Sequence, residues 1–210
     1  MILHDYWRSS AAYRVRIGLN LKGVAYTLAG HDLRLGEQSA DAYRALAPQG
    51  LVPALDTGAD VLTQSLAILE WLDETHADPP FLPADPAGRA IVRSMAHVVA
   101  MDIHPVNNLR ILKALKSDFG AEQPGIDAWV RRWIGEGFAA LETMAARHGG
   151  AFLYGDTPGL ADICLVPQWY NAERFAVETA AYPLLSAIVE RARALPAFES
   201  ASPDRHPDAS

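Results

Sequence analysis

The first third of the chain alternates apolar and polar positions in short runs that have two different periods. Runs with a period near two predict strands, and runs that repeat every three or four residues predict helices. Strands are predicted at 2–7, 25–31, 52–56 and 61–64, and helices at 11–21, 39–46 and 66–72, the last one capped by Ser65. A tight turn at 56–60 joins the last two strands into a predicted hairpin. This part is therefore predicted to be an α/β domain of order βαβαββα.

The pattern changes after a proline-rich segment. Four prolines among residues 78–86 cannot continue a helix, so this segment is predicted to be a linker between a domain at 1–77 and a second domain at 87–199. The second domain has a helical period almost throughout and is predicted to be all-α. Its helices are expected at 88–116, through 126–141 to the glycines at 149–150, at 159–174 and at 184–195. The tail, 200–210, is rich in Pro, Asp and Ser and is predicted to be disordered.

Composition and charge narrow the choice of partners. The 210 residues are 50% hydrophobic and carry a formal net charge of −7, which argues against nucleic acid because phosphate binding needs concentrated Lys and Arg. With no leader-like N-terminal segment and no run of about 18 apolar residues, we expect no membrane insertion and a cytoplasmic location. The single cysteine, Cys164, lies in an apolar helical series, so it is predicted to be a buried packing residue rather than a nucleophile.

Ser9 and Ser10 mark a predicted helix start directly after the first strand. Serine is a favoured cap, and its hydroxyl converges with unpaired backbone N–H groups at the positive end of the helix dipole. Such a corner binds anions and lowers the pKa of a thiol held there. Position 11 is Ala, so a sulfur activated at this corner must come from a bound molecule. Simple helix capping would explain the two serines equally well.

The segment 8–17 carries a family resemblance. It places the two serines before Ala11 and an Arg-Val-Arg-Ile run, and it resembles the signature of the zeta-class glutathione transferases, in which two serines precede a cysteine. Ala11 replaces that cysteine. Segments 51–58, 102–108 and 171–175 are similar to the glutathione-dependent maleylpyruvate isomerases within that class. The resemblance spans essentially the whole chain and implies the glutathione transferase fold, with a thioredoxin-like N-terminal domain, an all-helical C-terminal domain and assembly as a homodimer.

Residues 155–162 also resemble the family's helix-capping box. Gly159 stands where a Ser or Thr cap is usual, and Asp162 can still accept the Gly159 N–H. This motif is expected to contribute to stability and folding only.

The resemblance implies a glutathione site built from several short segments. Ser10, or alternatively Ser9, would donate a hydrogen bond to the glutathione sulfur. Further contacts are implied for Gln64 and Ser65 with the γ-glutamyl carboxylate, for Gln49 with the peptide backbone, for Val52 beside a cis peptide to Pro53, and for His104 and Asn108 on one helical face. Purely structural roles stay open as well: Pro53 could be an ordinary trans proline, and Ser65 could be only a helix cap.

A small dicarboxylate substrate would need cations. Arg8 and Arg174 lie in the matching segments, and Arg110 lies two residues after the segment 102–108. The resemblance implies that they bind the substrate, with Arg8 joining Ser9 and Ser10 as the catalytic set. Each could instead be a solvated or structural arginine. No metal is expected, because one His and one Asn without a carboxylate or thiol make a poor ligand set.

The activity that the resemblance implies is cis–trans isomerisation of maleylpyruvate to fumarylpyruvate, in gentisate-type degradation of aromatic compounds. Glutathione thiolate adds to one olefinic carbon, the former double bond rotates, and elimination releases the product and unconsumed glutathione. Three alternatives stay open. The substrate could be maleylacetoacetate, the enzyme could be a general glutathione S-transferase for conjugation or dehalogenation, or the chain could be a glutathione transferase-like binding module without activity.

Overall fold

A computed structural model of the chain describes residues 1–209 and divides into two compact units. The first unit comprises Met1–Phe81 together with the chain from Ala194 onward, and the second comprises Leu82–Arg193. The first unit begins with β1 (Ile2–Asp5), α1 (Ser10–Leu21), β2 (Thr27–Gly30), α2 (Asp41–Leu46), β3 (Ala54–Asp56), β4 (Val61–Thr63) and α3 (Ser65–Thr75). This order confirms the predicted βαβαββα arrangement.

The sheet of the first unit has the strand order β2-β1-β3-β4. β1 is parallel to β2 and antiparallel to β3, and β3 and β4 form the predicted hairpin, with Ala54 opposite Thr63. Leu3 and Leu55 are fully buried on this sheet. The parallel pair needs the crossover helix α1 between β1 and β2, so the turn from β1 into α1 falls at the carboxyl edge of a central strand. That edge carries Ser9 and Ser10.

The second unit is helical, as predicted, but its first long helix is interrupted. Its elements are α4 (Pro86–His97), a π-helical segment (Val98–Ile103), a 3-10 turn (Pro105–Asn107), α5 (Leu109–Phe119), α6 (Gln123–His148), α7 (Leu160–Arg174) and α8 (Pro183–Arg193). The prediction of one helix over 88–116 is wrong. Pro105 has no backbone N–H to continue the helical ladder, and Asn108 is extended, with φ −65° and ψ 147°.

The carboxyl-terminal segment returns to the first unit. After α8, the chain forms α9 (Pro196–Glu199) and a 3-10 turn (Pro203–Arg205), and Phe198, Ala201 and His206 are buried. The predicted disorder of 200–210 is therefore wrong for 200–209, because this stretch buries side chains, while Ser210 lies outside the described residues. The structure also differs from the predicted second domain at 87–199, since the second unit ends at Arg193.

Two further predictions concern burial. Cys164 is fully buried in α7 and is not in a disulfide, in keeping with a packing role. Within the described part of the chain, none of the helices combines the length and the apolar content that crossing a membrane would require.

Candidate active site

The start of α1 assigns different roles to the two serines. Ser9 is the N-cap residue, and its Oγ accepts the Ala12 N–H at 3.3 Å. Its own N–H donates to the Tyr6 carbonyl at 2.8 Å, which closes the turn after β1. Ser10 is the first helical residue and is buried. The capping acceptor of α1 is therefore Ser9, whereas Ser10 lies one residue further along, inside the helix.

The start of α3 is a second polar corner, and Ser65 is not its cap. Gln64 occupies the N-cap position with φ 69°, a left-handed conformation that costs a non-glycine residue free energy. Its side-chain Nε2 donates to Gln49 Oε1 at 2.5 Å, so two predicted site residues lie in contact. Strain of this kind persists where the surrounding structure imposes it, and it is concentrated at ligand sites.

Arg14 connects the two helix starts. Ser65, the first residue of α3, is buried, and its Oγ accepts a hydrogen bond from Arg14 Nη1 at 3.3 Å. Arg14 lies one helical turn beyond Ser10 in α1 and is only 1% exposed. Sequence reasoning missed Arg14 because only the tertiary contact with Ser65, and not the helical period, distinguishes it from a surface arginine.

The segment before β3 adds the third part of this region. The Val52–Pro53 peptide is cis, as the resemblance implied, and both residues are buried. The Tyr43 hydroxyl donates to the Leu51 carbonyl at 2.8 Å and holds this segment from α2. Burial raises the pKa of Tyr43 to about 12, so the phenol keeps the proton that this hydrogen bond needs.

Arg8 follows Trp7 in the turn between β1 and α1. Its guanidinium lies 5.1 Å from the centroid of the Trp7 ring, in a cation–π contact, and the side chain is half-buried. Within the first unit, the structure therefore places Arg8, Ser9 and Ser10 on one turn.

In the second unit, the structure separates His104 from Asn108. His104 ends the π-helical segment, whereas Asn108 is the N-cap of α5 and accepts the Arg110 N–H through Oδ1 at 3.1 Å. The expectation that both lie on one helical face is wrong, because the 3-10 turn at Pro105–Asn107 intervenes. Arg110 is exposed in the first turn of α5.

Arg174 is the last residue of α7. Its Nη1 donates to Asn171 Oδ1 at 3.1 Å, and its guanidinium lies 5.6 Å from the centroid of the Phe175 ring. The side chain is exposed, so the guanidinium keeps access to a ligand while two neighbours in its own segment limit its rotamers. Over residues 1–209, we find no cluster of three or more His, Cys, Asp or Glu side chains able to hold a metal ion.

The capping box of α7 is present as predicted. Asp162 accepts the Gly159 N–H through Oδ2 and the Leu153 N–H through Oδ1, each at 2.9 Å. Burial outweighs these hydrogen bonds and raises the pKa of Asp162 to about 6.

Comparison with known proteins agrees with this fold along the whole chain. Family models described as the glutathione S-transferase N-terminal and C-terminal domains match residues 3–80 and 127–200. A maleylpyruvate isomerase of Ralstonia sp is 49% identical over 99% of each chain, and a maleylacetoacetate isomerase of Rhizobium meliloti (strain 1021) is 49% identical over 97% of this chain and 96% of its own. The chain belongs to the glutathione S-transferase family.

Similar solved structures narrow the class within this family. The holo structure of a maleylpyruvate isomerase, described as a bacterial glutathione S-transferase of the zeta class, has a TM-score of 0.98 and 48% identity over 100% of both chains. A maleylacetoacetate isomerase from Methylobacterium extorquens AM1, solved with bound malonate and glutathione, has a TM-score of 0.96 and 41% identity over 100% of both chains. This glutathione S-transferase is therefore a zeta-class protein.

Proposed function

We propose that this zeta-class protein is a glutathione-dependent cis–trans isomerase that converts maleylpyruvate to fumarylpyruvate in gentisate-type degradation of aromatic compounds. The observation that carries the proposal is the pair of polar helix starts in the first unit, at Ser9–Ser10 and Gln64–Ser65, connected by the hydrogen bond from Arg14 to Ser65. Full-length relatives named as isomerases of two maleyl compounds support it.

The residues of the first unit fit glutathione. Bound glutathione supplies a thiolate that adds reversibly to the maleyl double bond. Gln64 and Ser65 would hold the γ-glutamyl carboxylate at the positive end of α3, and Gln49, which already contacts Gln64, would bind the peptide backbone. Val52 would pair with the cysteinyl backbone beside Pro53. In the second unit, we assign His104 and Asn108 as further glutathione contacts.

Ser10 would stabilise the thiolate. A free thiol with a pKa of about 8.5 is only a few per cent ionised at neutral pH, so a drop of about two units makes the thiolate the major form. The Ser10 hydroxyl and the N-terminal dipole of α1 both favour the anion. Ala11 is compatible with this role because the nucleophile arrives with the cofactor, and the protein itself needs none.

Arginines would hold the dicarboxylate. Arg8 lies on the turn that carries Ser10, and we assign Arg110 and Arg174 of the second unit as the other carboxylate ligands. Guanidinium groups bind carboxylates through two parallel hydrogen bonds and stabilise the enolate charge that develops in the transition state. Fixed cations of this kind contribute through electrostatic preorganisation.

The decisive test is turnover with the purified protein. Loss of maleylpyruvate absorbance should require glutathione, and the spectrum of the product should be that of fumarylpyruvate. Without glutathione-dependent turnover of either maleyl compound, the proposal is wrong. Because relatives with both substrate names are 49% identical to this chain, maleylacetoacetate is the second candidate substrate, and the higher kcat/KM identifies the physiological one.

General transferase activity is separated from isomerisation by Arg174→Ala. Removing this guanidinium should lower kcat/KM for the diacid by about 100-fold, which corresponds to about 3 kcal/mol for a charge-assisted contact. Conjugation of a neutral aromatic electrophile should stay within about twofold of wild type, since no carboxylate is bound. Arg131→Ala is a matched control, because it removes an exposed arginine that donates to the Phe175 carbonyl beside Arg174. Equal losses in both reactions would refute the role of Arg174.

Two further expectations belong to the same proposal. We propose that the protein is a cytoplasmic homodimer. Light scattering coupled to size-exclusion chromatography tests the oligomeric state, because the molar mass of a dimer is twice that of the 22.8 kDa chain. If the chain is instead a glutathione transferase-like binding module without activity, calorimetric titration should detect no glutathione binding at millimolar ligand.

A further inference from the structure

Arg16 is a buried cation that binds three separate parts of the first unit. The side chain lies in α1, and Arg16 is 2% exposed. Its Nη1 donates to Asp5 Oδ2 at 2.6 Å, at the end of β1, and its Nη2 donates to the Trp7 carbonyl at 3.1 Å. Its Nε donates to the Ala201 carbonyl at 2.8 Å. One guanidinium therefore connects β1, the turn after it and the carboxyl-terminal segment.

His206 completes the cluster from the carboxyl-terminal side. Its Nδ1 accepts the Asp208 N–H at 3.1 Å. Its Nε2 lies 3.3 Å from Asp5 Oδ2. Burial alone would raise the pKa of Asp5, but His206 and the Arg16 guanidinium together hold it below its ordinary value. The carboxylate thus stays ionised between its two partners.

The cluster reaches the candidate active site through Trp7. Arg16 fixes the Trp7 carbonyl, and the Trp7 ring lies under the guanidinium of Arg8. In the same turn, the Ser9 N–H donates to the Tyr6 carbonyl, and Ser9 caps α1. The backbone that sets the positions of Arg8 and Ser10 is therefore held from one side by Arg16.

A merely stabilising role would not need this chemistry. Replacing a buried ion pair with apolar residues of similar volume is often neutral for stability, so the pair by itself is weak support for a role in folding. A lysine ammonium could neutralise Asp5 but could not reach three acceptors in different directions, which the planar five-donor guanidinium does.

We propose that Arg16 is a positioning residue for the thiolate site, and that the carboxyl-terminal segment at 200–209 holds Arg16 and Asp5 in place through Ala201 and His206. The inference rests on the proposed function, because its effect is expressed in the ionisation of bound glutathione. Arg16 acts through the Trp7 carbonyl on the turn that carries Arg8, Ser9 and Ser10, and it touches neither cofactor nor substrate.

The test measures the thiol pKa of bound glutathione from its thiolate absorbance between pH 5 and 9, in the full-length protein. Arg16→Lys keeps the charge beside Asp5 but gives up contacts with the carbonyls, and it should raise the thiol pKa by about half a unit, which is about a threefold fall in the ratio of thiolate to thiol at a given pH. His206→Ala should shift the pKa in the same direction by a smaller amount. The pH profile of kcat/KM should move with the thiol pKa in both variants.

Matched variants separate positioning from stability. Arg205→Ala removes the neighbouring exposed side chain and its ion pair with Glu199, and it should leave the thiol pKa and kcat/KM unchanged. His206→Gln keeps a polar side-chain amide beside Asp5 and should restore most of the wild-type thiol pKa. If Arg16→Lys does not fold, the two His206 variants and Arg205→Ala still decide the question.

Wild-type thiol pKa and kinetics in folded Arg16→Lys and His206→Ala would overturn the inference, even if their melting temperatures fall. That result would leave the proposed function intact, because the proposed function depends on turnover by the wild-type protein and not on the role of Arg16. If the wild-type protein neither binds glutathione nor lowers its thiol pKa, the proposed function and the inference are both overturned.

Discussion

Replacing Asp162 with Asn should flatten the dependence of the protein's stability on pH. Burial raises the pKa of Asp162 to about 6 in the folded state, against 3.8 for the unperturbed side chain. The folded protein therefore holds a proton on Asp162 at pH values where the unfolded chain has lost it. The free energy of unfolding must then fall as pH rises from about 4 to 6, because stability decreases wherever the native state binds more protons.

The size of this effect follows from the pKa difference. A shift of about two units corresponds to about 3 kcal/mol in total, of which about 2 kcal/mol lies between pH 4.5 and 7.5. Urea unfolding at several pH values, extrapolated to water, measures it. Asp162→Asn should be less stable than wild type throughout, since an amide offers one acceptor oxygen for the Leu153 and Gly159 N–H groups. Its deficit should shrink by about 2 kcal/mol as pH rises.

A neighbouring acid provides the control. Asp156 lies in the same loop, is exposed, and accepts the Ala151 N–H at 3.0 Å. Asp156→Asn reports what the loss of an exposed acid in this loop does to stability over the same pH range. The reasoning is refuted if the deficit of Asp162→Asn is the same at pH 4.5 and 7.5.

Three further predictions concern packing and the cofactor site. Gly137→Ala should destabilise the protein by about 1–3 kcal/mol and lower the melting temperature by about 3 °C or more, because the new Cβ would overlap the Ile103 side chain of the π-helical segment. Gly125→Ala in the same helix meets open space and should not lower it. Ser9→Ala should cost about 1 kcal/mol of stability by uncapping α1, whereas Ser10→Ala should raise the thiol pKa of bound glutathione. A raised thiol pKa in Ser9→Ala and not in Ser10→Ala would show that Ser9 is the donor. Gln49→Ala removes the partner of the strained cap residue of α3 and should weaken glutathione binding about three- to tenfold by calorimetry, and an unchanged Kd would exclude that role.

The fold was largely predictable because the period of apolar positions changes from about two to 3.6 where strands give way to helices. A proline within a helical spacing predicts a kink, but it predicts neither the π-helical segment that precedes Pro105 nor the 3-10 turn that begins there. The return of the carboxyl-terminal segment was also missed. Its polar composition suggested solvent, but Ala201 and His206 are buried beside Arg16, a contact between residues far apart in the sequence.

The candidate site was predictable in its residue types more than in its contacts. Two serines before a helix predict a cap, but the sequence does not show which of them it is. The structure does, because the Ser9 Oγ accepts the Ala12 N–H. A cap at Ser65 was expected because serine is a favoured cap residue, whereas the structure uses Gln64 at positive φ. Propensity does not favour glutamine there, so only its contact with Gln49 indicates why the residue is found at this position.

The first unit is made from two stretches that are far apart in the sequence, so it cannot be completed on the ribosome until the whole second unit has been synthesised. Residues 1–81 emerge early, yet the Ala201 carbonyl and His206, which contact Arg16 and Asp5, follow only after Arg193. A nascent chain therefore carries Asp5 and Arg16 without these two partners while the second unit is being made. Any deletion within 194–209 is, in effect, an alteration of the first unit.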